Sequence, residues 1–286
     1  MSLAASHNDF ADRRLLVVGG SSGIGRSIAL SAAAQGARVA VVGRRAELLE
    51  EVAAKSGGVA VAADLADPGD CARIAEEAAD GLGGGIDAVV HAAGVSPLMR
   101  LTETPADVWQ RLMATNVIGP VLVTSALMES LTPGGVVAFL SSRSVGRPYH
   151  GVGAYSASKA ALDQAVLSLR LENPAYRFSR IEVGDTAGTD FNRDFDVATR
   201  NELAPLWLSH GVLCEVLMDA EDLGALITAS LGQLLAHPGI SANNMVFHGP
   251  GGILTPASLA GPAVGANAAR EAIAYDGTGD TAGPRA

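Results

Sequence analysis

The chain has 286 residues, 48% of them apolar and 17% charged, with 34 glycines and a formal net charge of −10. So much apolar surface can repay the ordering of a large core, which argues against disorder and against dependence on metal or disulfide staples. An acidic chain has no electrostatic reason to seek nucleic acid or an anionic membrane, so any phosphate it binds must be held by a local device.

Positive charge is carried almost wholly by arginine, since Lys55 and Lys159 are the only lysines. The two cysteines, Cys71 and Cys214, match no metal-ligand spacing and form no disulfide framework. They read as small buried fillers in a reducing compartment, and no metal is expected. No signal-peptide core precedes the first apolar run, and the closest approach to a membrane span, 117–128, is broken by Gly119, Pro120, Thr124 and Ser125. A soluble, cytoplasmic protein is therefore expected.

In chain order, 15–19 reads as a buried strand and 23–35 as a helix ending at Gly36. A strand at 38–43 is followed by a helix at 46–55, stopped by Gly57-Gly58. Next comes a strand at 59–63, after which Asp67-Pro68 supplies an N-cap and a first-turn proline for a helix at 69–80. Residues 86–91 form a strand, and Thr104-Pro105 repeats the capping device for one long helix running to about 131. A strand at 136–141, a helix at 154–172, a strand at 178–184, a helix at 221–236 and a short strand at 244–248 complete the pattern. Segment 186–219 has no clear period and is expected to be an irregular substrate lid. Residues 1–255 are expected to make one domain, with 256–286 an Ala/Gly-rich C-terminal tail.

Continuous apolar strands joined by helices indicate a parallel sheet covered on both faces. Right-handed crossovers then give a doubly wound α/β Rossmann fold with a parallel sheet of about seven strands.

The run Gly19-Gly20-Ser21-Ser22-Gly23-Ile24-Gly25 stands between the first strand and the first helix. Glycines there permit a tight turn and let a pyrophosphate approach the free N–H groups of the helix N-terminus. The second strand ends Gly43-Arg44-Arg45 where an acid would accept from a ribose 2′-hydroxyl. A guanidinium suits a 2′-phosphate, so the expected cofactor is NADP(H), with Arg44 the stronger candidate and Arg45 the better fit to a solvated helix start.

Gly19-x3-Gly23-x-Gly25, Asp64-Leu65, Ala92-Ala93-Gly94, Asn116, Ser142 and Tyr155-x3-Lys159 occur in that order, with Ser142 standing 13 residues before Tyr155. Together, over about 14–250, they resemble the short-chain dehydrogenase/reductase family in its smaller single-domain branch. The residues agree chemically. Tyr155 and Lys159 are four apart on a predicted helix and share a face, where an ammonium beside a phenol would lower the phenol pKa. The resemblance implies that Tyr155 is the general acid/base and that Lys159 also holds the nicotinamide ribose. It further implies that Ser142 donates to the substrate oxygen, and that Asn116 holds a water feeding a relay to Lys159. Ser21, Ser22, Ile24, Ala92, Ala93 and Gly94 would line the cofactor. Asp64 and Leu65 would meet the adenine, although Asp64 also fits a plain turn acid.

Several positions depart from the family pattern. Val18 and His91-Ala92 are packing changes, and Gly184-Asp185-Thr186 stands where Pro-Gly before a threonine is usual. Thr186 and Thr189 both remain candidates to meet the nicotinamide carboxamide. Trp109 reads as packing, and His7, His91, His150, His210 and His237 are given no role. Ser96, Leu98, Met99, Ser144, Val145, Tyr149, Phe191, Phe195 and Trp207 are candidate pocket walls, suited to an aliphatic or aromatic carbonyl. Arg143, Arg147 and Arg193 could instead recognise a carboxylate or phosphopantetheine. The leading expectation is an NADP(H)-dependent carbonyl reductase or alcohol dehydrogenase forming a homo-oligomer (dimer or tetramer). A 3-oxoacyl thioester reductase is the second enzymatic reading and an NADP(H)-sensing regulator the non-enzymatic one.

Overall fold

A computed structural model describes residues 10–255; His7 and the predicted tail from 256 lie outside them. Seven parallel strands form the central sheet in the order β3-β2-β1-β4-β5-β6-β9. These are β1 (Arg14–Val18), β2 (Arg38–Gly43), β3 (Val59–Ala62), β4 (Ile86–His91), β5 (Leu131–Ser142), β6 (Arg177–Val183) and β9 (Asn244–Phe247). The helices are α1 (Gly23–Ala34), α2 (Ala46–Ser56), α3 (Pro68–Leu82), α4 (Ala106–Met113), α5 (Gly119–Leu127), α6 (Gly153–Glu172), α7 (Val197–Ser209) and α8 (Ala220–Ala236).

Because strand side chains alternate, each strand feeds two cores. Leu15 and Val17 pack with Ile28, Leu49, Leu223, Ile227 and Leu231, whereas Leu16 and Val18 pack with Ile74, Val123, Leu162 and Val166. The sheet is therefore buried on both faces, as its unbroken apolar strands require. The chain reverses its direction of winding between β1 and β4, and the crevice outside those strand ends is where such sheets bind ligands.

Of three local expectations, one holds and two need correction. Asp67 does cap α3, accepting from the backbone N–H groups of Gly69 and Asp70. Thr104 does not cap α4: its hydroxyl donates to Arg100 O at 3.0 Å, and Pro105 holds the capping position. The long helix is not continuous to 131 either. It widens into a π-turn over Ala114–Ile118, resumes as α5 and ends at Leu127, and β5 begins at Leu131. Pro120 supplies the cause, since its ring cannot accommodate the carbonyl four residues earlier and it has no N–H to donate.

Segment 186–219 is also more ordered than its lack of period suggests. A small parallel pair, β7 (Thr186–Ala187) with β8 (Met218–Asp219), ties its two ends together, and it contains α7. Pro205 inside α7 and the weak segregation of its apolar residues hid this helix, but its cap was legible: Asp196 accepts from Thr199 N at 2.7 Å.

Helices α1 and α8 meet closely at Gly224, where a Cβ would lie 2.4 Å from Ser27 Cβ and 3.0 Å from Ile28 N. The Ser27 hydroxyl donates across the same seam to Glu221 O. Gly224→Ala should therefore destabilise the protein by about 1–3 kcal/mol, lowering Tm by about 2–8 °C despite alanine's better helix propensity. Gly239→Ala, which would meet nothing within 4 Å, should leave Tm within about 1 °C in the same calorimetric scan.

Candidate active site

At the end of β1, Gly19 adopts φ +94° beneath the 92–93 backbone, and a Cβ there would lie 2.4 Å from Ala93 N. One turn on, a Cβ at Gly25 would lie 2.2 Å from Gly19 O. This approach opens the N-terminus of α1 to a cavity of about 880 Å³, at the upper end of the range for small-molecule sites. Gly19, Ser21, Ser22, Gly23, Ile24, Gly25, Arg44, Arg45, Asp64, Leu65, Ala92, Ala93, Gly94, Ser142, Tyr155, Lys159, Gly184, Thr186 and Thr189 all line this one cavity. The bare backbone at the cradle and the row of small residues leading from it fit an extended dinucleotide with its pyrophosphate at the helix N-terminus.

The two arginines after β2 differ from the expected ranking. Arg44 is exposed, whereas Arg45 Nη2 donates to Ser21 Oγ at 2.8 Å and Ser22 Oγ at 2.6 Å, and its Nη1 to Asp190 at 2.5 Å. Arg45 is thus built into the cradle rather than being a solvated helix start. Asp64 keeps both of its readings, since its carboxylate accepts from Ala66 N in a tight turn while the residue lines the cavity.

Asn116 does not line the cavity. It is fully buried on the π-turn, accepting from Val95 N at 2.9 Å and donating to Val95 O at 3.0 Å and Ser158 Oγ at 2.9 Å. It staples the loop after β4 to α6, holding Gly94 close to Lys159: a Cβ at Gly94 would lie 3.5 Å from Nζ.

Tyr155 and Lys159 lie on the first turns of α6, both buried. Lys159 Nζ donates to Leu140 O at 2.8 Å and sits 5.9 Å from the Tyr155 ring centroid. Burial pushes the phenol up to about 12, with Ser142 working against it, and pushes the ammonium down to about 8, opposed by Asp163. The expected lowering of the phenol pKa by Lys159 is therefore not seen. Desolvation dominates both groups, and the ammonium is turned to a backbone carbonyl. Ser142 ends β5, where its hydroxyl donates to Ser144 Oγ at 3.0 Å and accepts from Ser144 N.

Of the candidate walls, Ser144, Tyr149, Phe191, Phe195 and Trp207 line the cavity. Ser96, Leu98, Met99 and Val145 do not; Leu98 is buried in the cluster beneath Tyr155, and Trp109 packs against that same cluster. Arg147 is turned away to Gly211 O, while Arg193 lines the cavity mouth beside Asp190 and Asp194. Arg143 is held by Asp185, whose carboxylate also accepts from the Tyr149 hydroxyl at 2.6 Å and from Cys214 N at 3.0 Å. Both cysteines are free and buried, and Cys214 Sγ accepts from Arg143. Among the described residues, no three His, Cys, Asp or Glu side chains gather as a metal-binding group. His91 stacks on Phe139 and meets Thr124 Oγ1 at 3.0 Å, and burial pushes its pKa down to about 3, so it is neutral.

Sequence reasoning missed Asp185, Asp190, Asn192, Leu213 and Leu217, which also line the cavity. Four of them come from the aperiodic segment 186–219, and Asp185, just before it, was visible only as a break in the family pattern.

Residues 13–199 match the family described as short chain dehydrogenase, and the chain belongs to it. It is 36% identical over 173 residues to the dehydrogenase/reductase SDR family member 7B of Bos taurus, covering 55% of this chain and 52% of that one. It is 34% identical over 179 residues to the serine 3-dehydrogenase of Rhizobium radiobacter, covering 59% of this chain and 70% of that one. The chain spans about half the length of the first of these curated relatives. Among solved structures, a Burkholderia cenocepacia short chain dehydrogenase in complex with NADP matches with TM-score 0.73 and 25% identity, over 84% of this chain and 98% of that one. A Sinorhizobium meliloti dehydrogenase/reductase matches with TM-score 0.68 and 25% identity, over 85% and 97%. The chain has the Rossmann fold of this family, and no helix among the described residues is long and apolar enough to cross a membrane.

Truncating the Asn116 brace leaves the Val95 N–H, the Val95 carbonyl and the Ser158 hydroxyl short of a buried partner. Asn116→Ala should reduce the unfolding free energy by about 2–4 kcal/mol, read from the midpoint and slope of urea denaturation.

Proposed function

We propose that this protein is an NADP(H)-dependent carbonyl reductase or alcohol dehydrogenase with Tyr155 as its general acid/base. The observation that carries the reading is the convergence of Ser142, Tyr155 and Lys159 on the same cavity as the glycine cradle and Arg45. Ser21, Ser22, Gly23 and the α1 N-terminus would hold the pyrophosphate, and Arg45, with Arg44 beside it, the 2′-phosphate. When bound, the nicotinamide supplies the hydride acceptor or donor. Ser142 Oγ donates to the substrate oxygen and orients it toward Tyr155 Oη, which gives that oxygen its proton in reduction and takes it back in oxidation. A neutral phenol, as burial enforces, is the form needed to give the proton. Lys159 would hold the ribose hydroxyls and keep a positive charge near the phenol.

Phe191, Phe195, Trp207, Leu213 and Leu217 make the substrate side largely apolar, and Arg143 is already committed to Asp185. Both facts favour an uncharged aliphatic or aromatic carbonyl over a carboxylate or phosphopantetheine. The NADP in the Burkholderia relative adds support for the cofactor.

The decisive experiment is NADPH oxidation across ketones, acyl thioesters, quinones and sugars, run beside Tyr155→Phe. Turnover should occur on a ketone and fall at least about 10³-fold in the variant, with NADPH affinity within about threefold. Retained turnover would sink the acid/base role, and equal wild-type affinity for NADH the choice of cofactor.

A pH dependence follows from Lys159. Ribose hydroxyls that accept from its ammonium stabilise the charged form, so binding raises a pKa of about 8 in the free protein and takes up a proton above it. NADPH affinity should be flat below about pH 8 and weaken by up to about tenfold per unit above it. Lys159→Met should show weaker binding without that inflection, as read by calorimetric titration from pH 6 to 10.

A further inference from the structure

Three consecutive lid residues touch three parts of the site. Thr189 packs over the cradle, where a Cβ at Gly23 would lie 3.4 Å from it. Asp190 accepts from Arg45 Nη1, and Phe191 meets the Tyr155 ring edge-on, with centroids 5.1 Å apart. Just before them the lid leaves β7 through Gly188 at φ +73°, and Phe195 packs edge-on against Phe191 from behind.

The guanidinium of Arg45 is thus bracketed by two hydroxyls and one carboxylate. A carboxylate and a phosphate monoester ask the same of a guanidinium, namely N–H groups aimed at anionic oxygens. Arg193 Nη1, 3.7 Å from Asp190, adds positive charge to the same spot. Burial would raise the Asp190 carboxyl, but hydrogen bonds from Arg45 and Ser22 outweigh it and hold the group below its ordinary range, so it is anionic at neutral pH.

We propose that Asp190 is a cofactor-specificity residue: it occupies the anion seat on Arg45 and must leave that seat when a ribose 2′-phosphate binds, which makes the position of the lid depend on that phosphate. The inference rests on Arg45 being the 2′-phosphate ligand. The dianion takes the guanidinium, and its charge repels the carboxylate, so the 189–191 strip lifts and Phe191 is drawn off Tyr155. A cofactor without the 2′-phosphate leaves the Asp190–Arg45 pair intact and the aromatic ring in place. Asp190 therefore opposes the phosphorylated cofactor and is neutral toward the other.

Calorimetry on the full chain with adenosine 2′,5′-bisphosphate and adenosine 5′-phosphate isolates that one phosphate. Asp190→Asn, a conservative change at a half-exposed side chain, should tighten the bisphosphate about five- to tenfold and move the monophosphate less than twofold. In an Arg45→Met background the selective gain should vanish. Tightening of both ligands alike, or of neither, overturns the proposal. Loss of any wild-type preference for the bisphosphate would instead overturn the 2′-phosphate reading of Arg45, a separable result. Trypsin cleavage after Arg193 reads the lid directly. The bisphosphate should speed it several-fold over the monophosphate in the wild type and give no such difference in Asp190→Asn; equal wild-type rates would overturn the coupling.

Discussion

Gly19 lies so close to the 92–93 backbone after β4, and Gly25 so close to Gly19 O, that neither could carry a methyl group, and the remainder of the site is arranged around those two approaches. Packing Gly19 under the 92–93 backbone turns the chain sharply into α1 and leaves the helix N–H groups facing open space. The same contact sets where the loop after β4 lies, and Asn116 then pins that loop to α6. Because α6 carries Tyr155 and Lys159, a backbone contact at one end of the cavity helps to set where that pair stands at the other. The π-turn belongs to this chain of causes, since Pro120 distorts the helix where the buried Asn116 must reach two elements at once.

Electrostatics in the cavity are governed by burial. Tyr155 and Lys159 are both shifted toward neutrality, opposite to what an isolated phenol–ammonium pair would do. A site of this kind is sensitive: charge introduced beside either group would be felt strongly because little water screens it. The neighbouring Asp185 carboxylate gathers Arg143, the Tyr149 hydroxyl and Cys214 N, so its charge is paired within the wall of the cavity rather than left free.

Much of this was legible in the residues. Glycines between a strand and a helix, or a tyrosine and lysine one helical turn apart, carry their chemistry in local spacing, and the apolar strands announced a sheet buried on both faces. What escaped depends on tertiary position. Neither the choice of Arg45 over Arg44 nor the meeting of Asp190 with Arg45 leaves a local trace, since the pair is separated by most of the fold. The helix α7 was hidden by Pro205, although Asp196 and Thr199 spelled its cap. Asn116 could be placed on a helix from its neighbours, but its role as a brace to Val95 and Ser158 needed the packing of three elements.

The scarcity of lysine acquires a physical meaning in this setting. The chain uses arginine wherever a planar fork can engage a carboxylate or carbonyl, as at Arg14 with Asp87, Arg177 with Gly134 O, and Arg45 with two hydroxyls and an acid. Lys159 works under different constraints. Its Nζ fits between Leu140 O and the bare face of Gly94, a gap a compact ammonium can fill and a guanidinium would overrun. An ammonium can also be pushed down toward neutral pH by burial, whereas a guanidinium stays charged and would carry the full desolvation penalty in that position. Size and tunable charge together explain why one of the chain's two lysines stands at this point in the cavity, where arginine would fail on both counts.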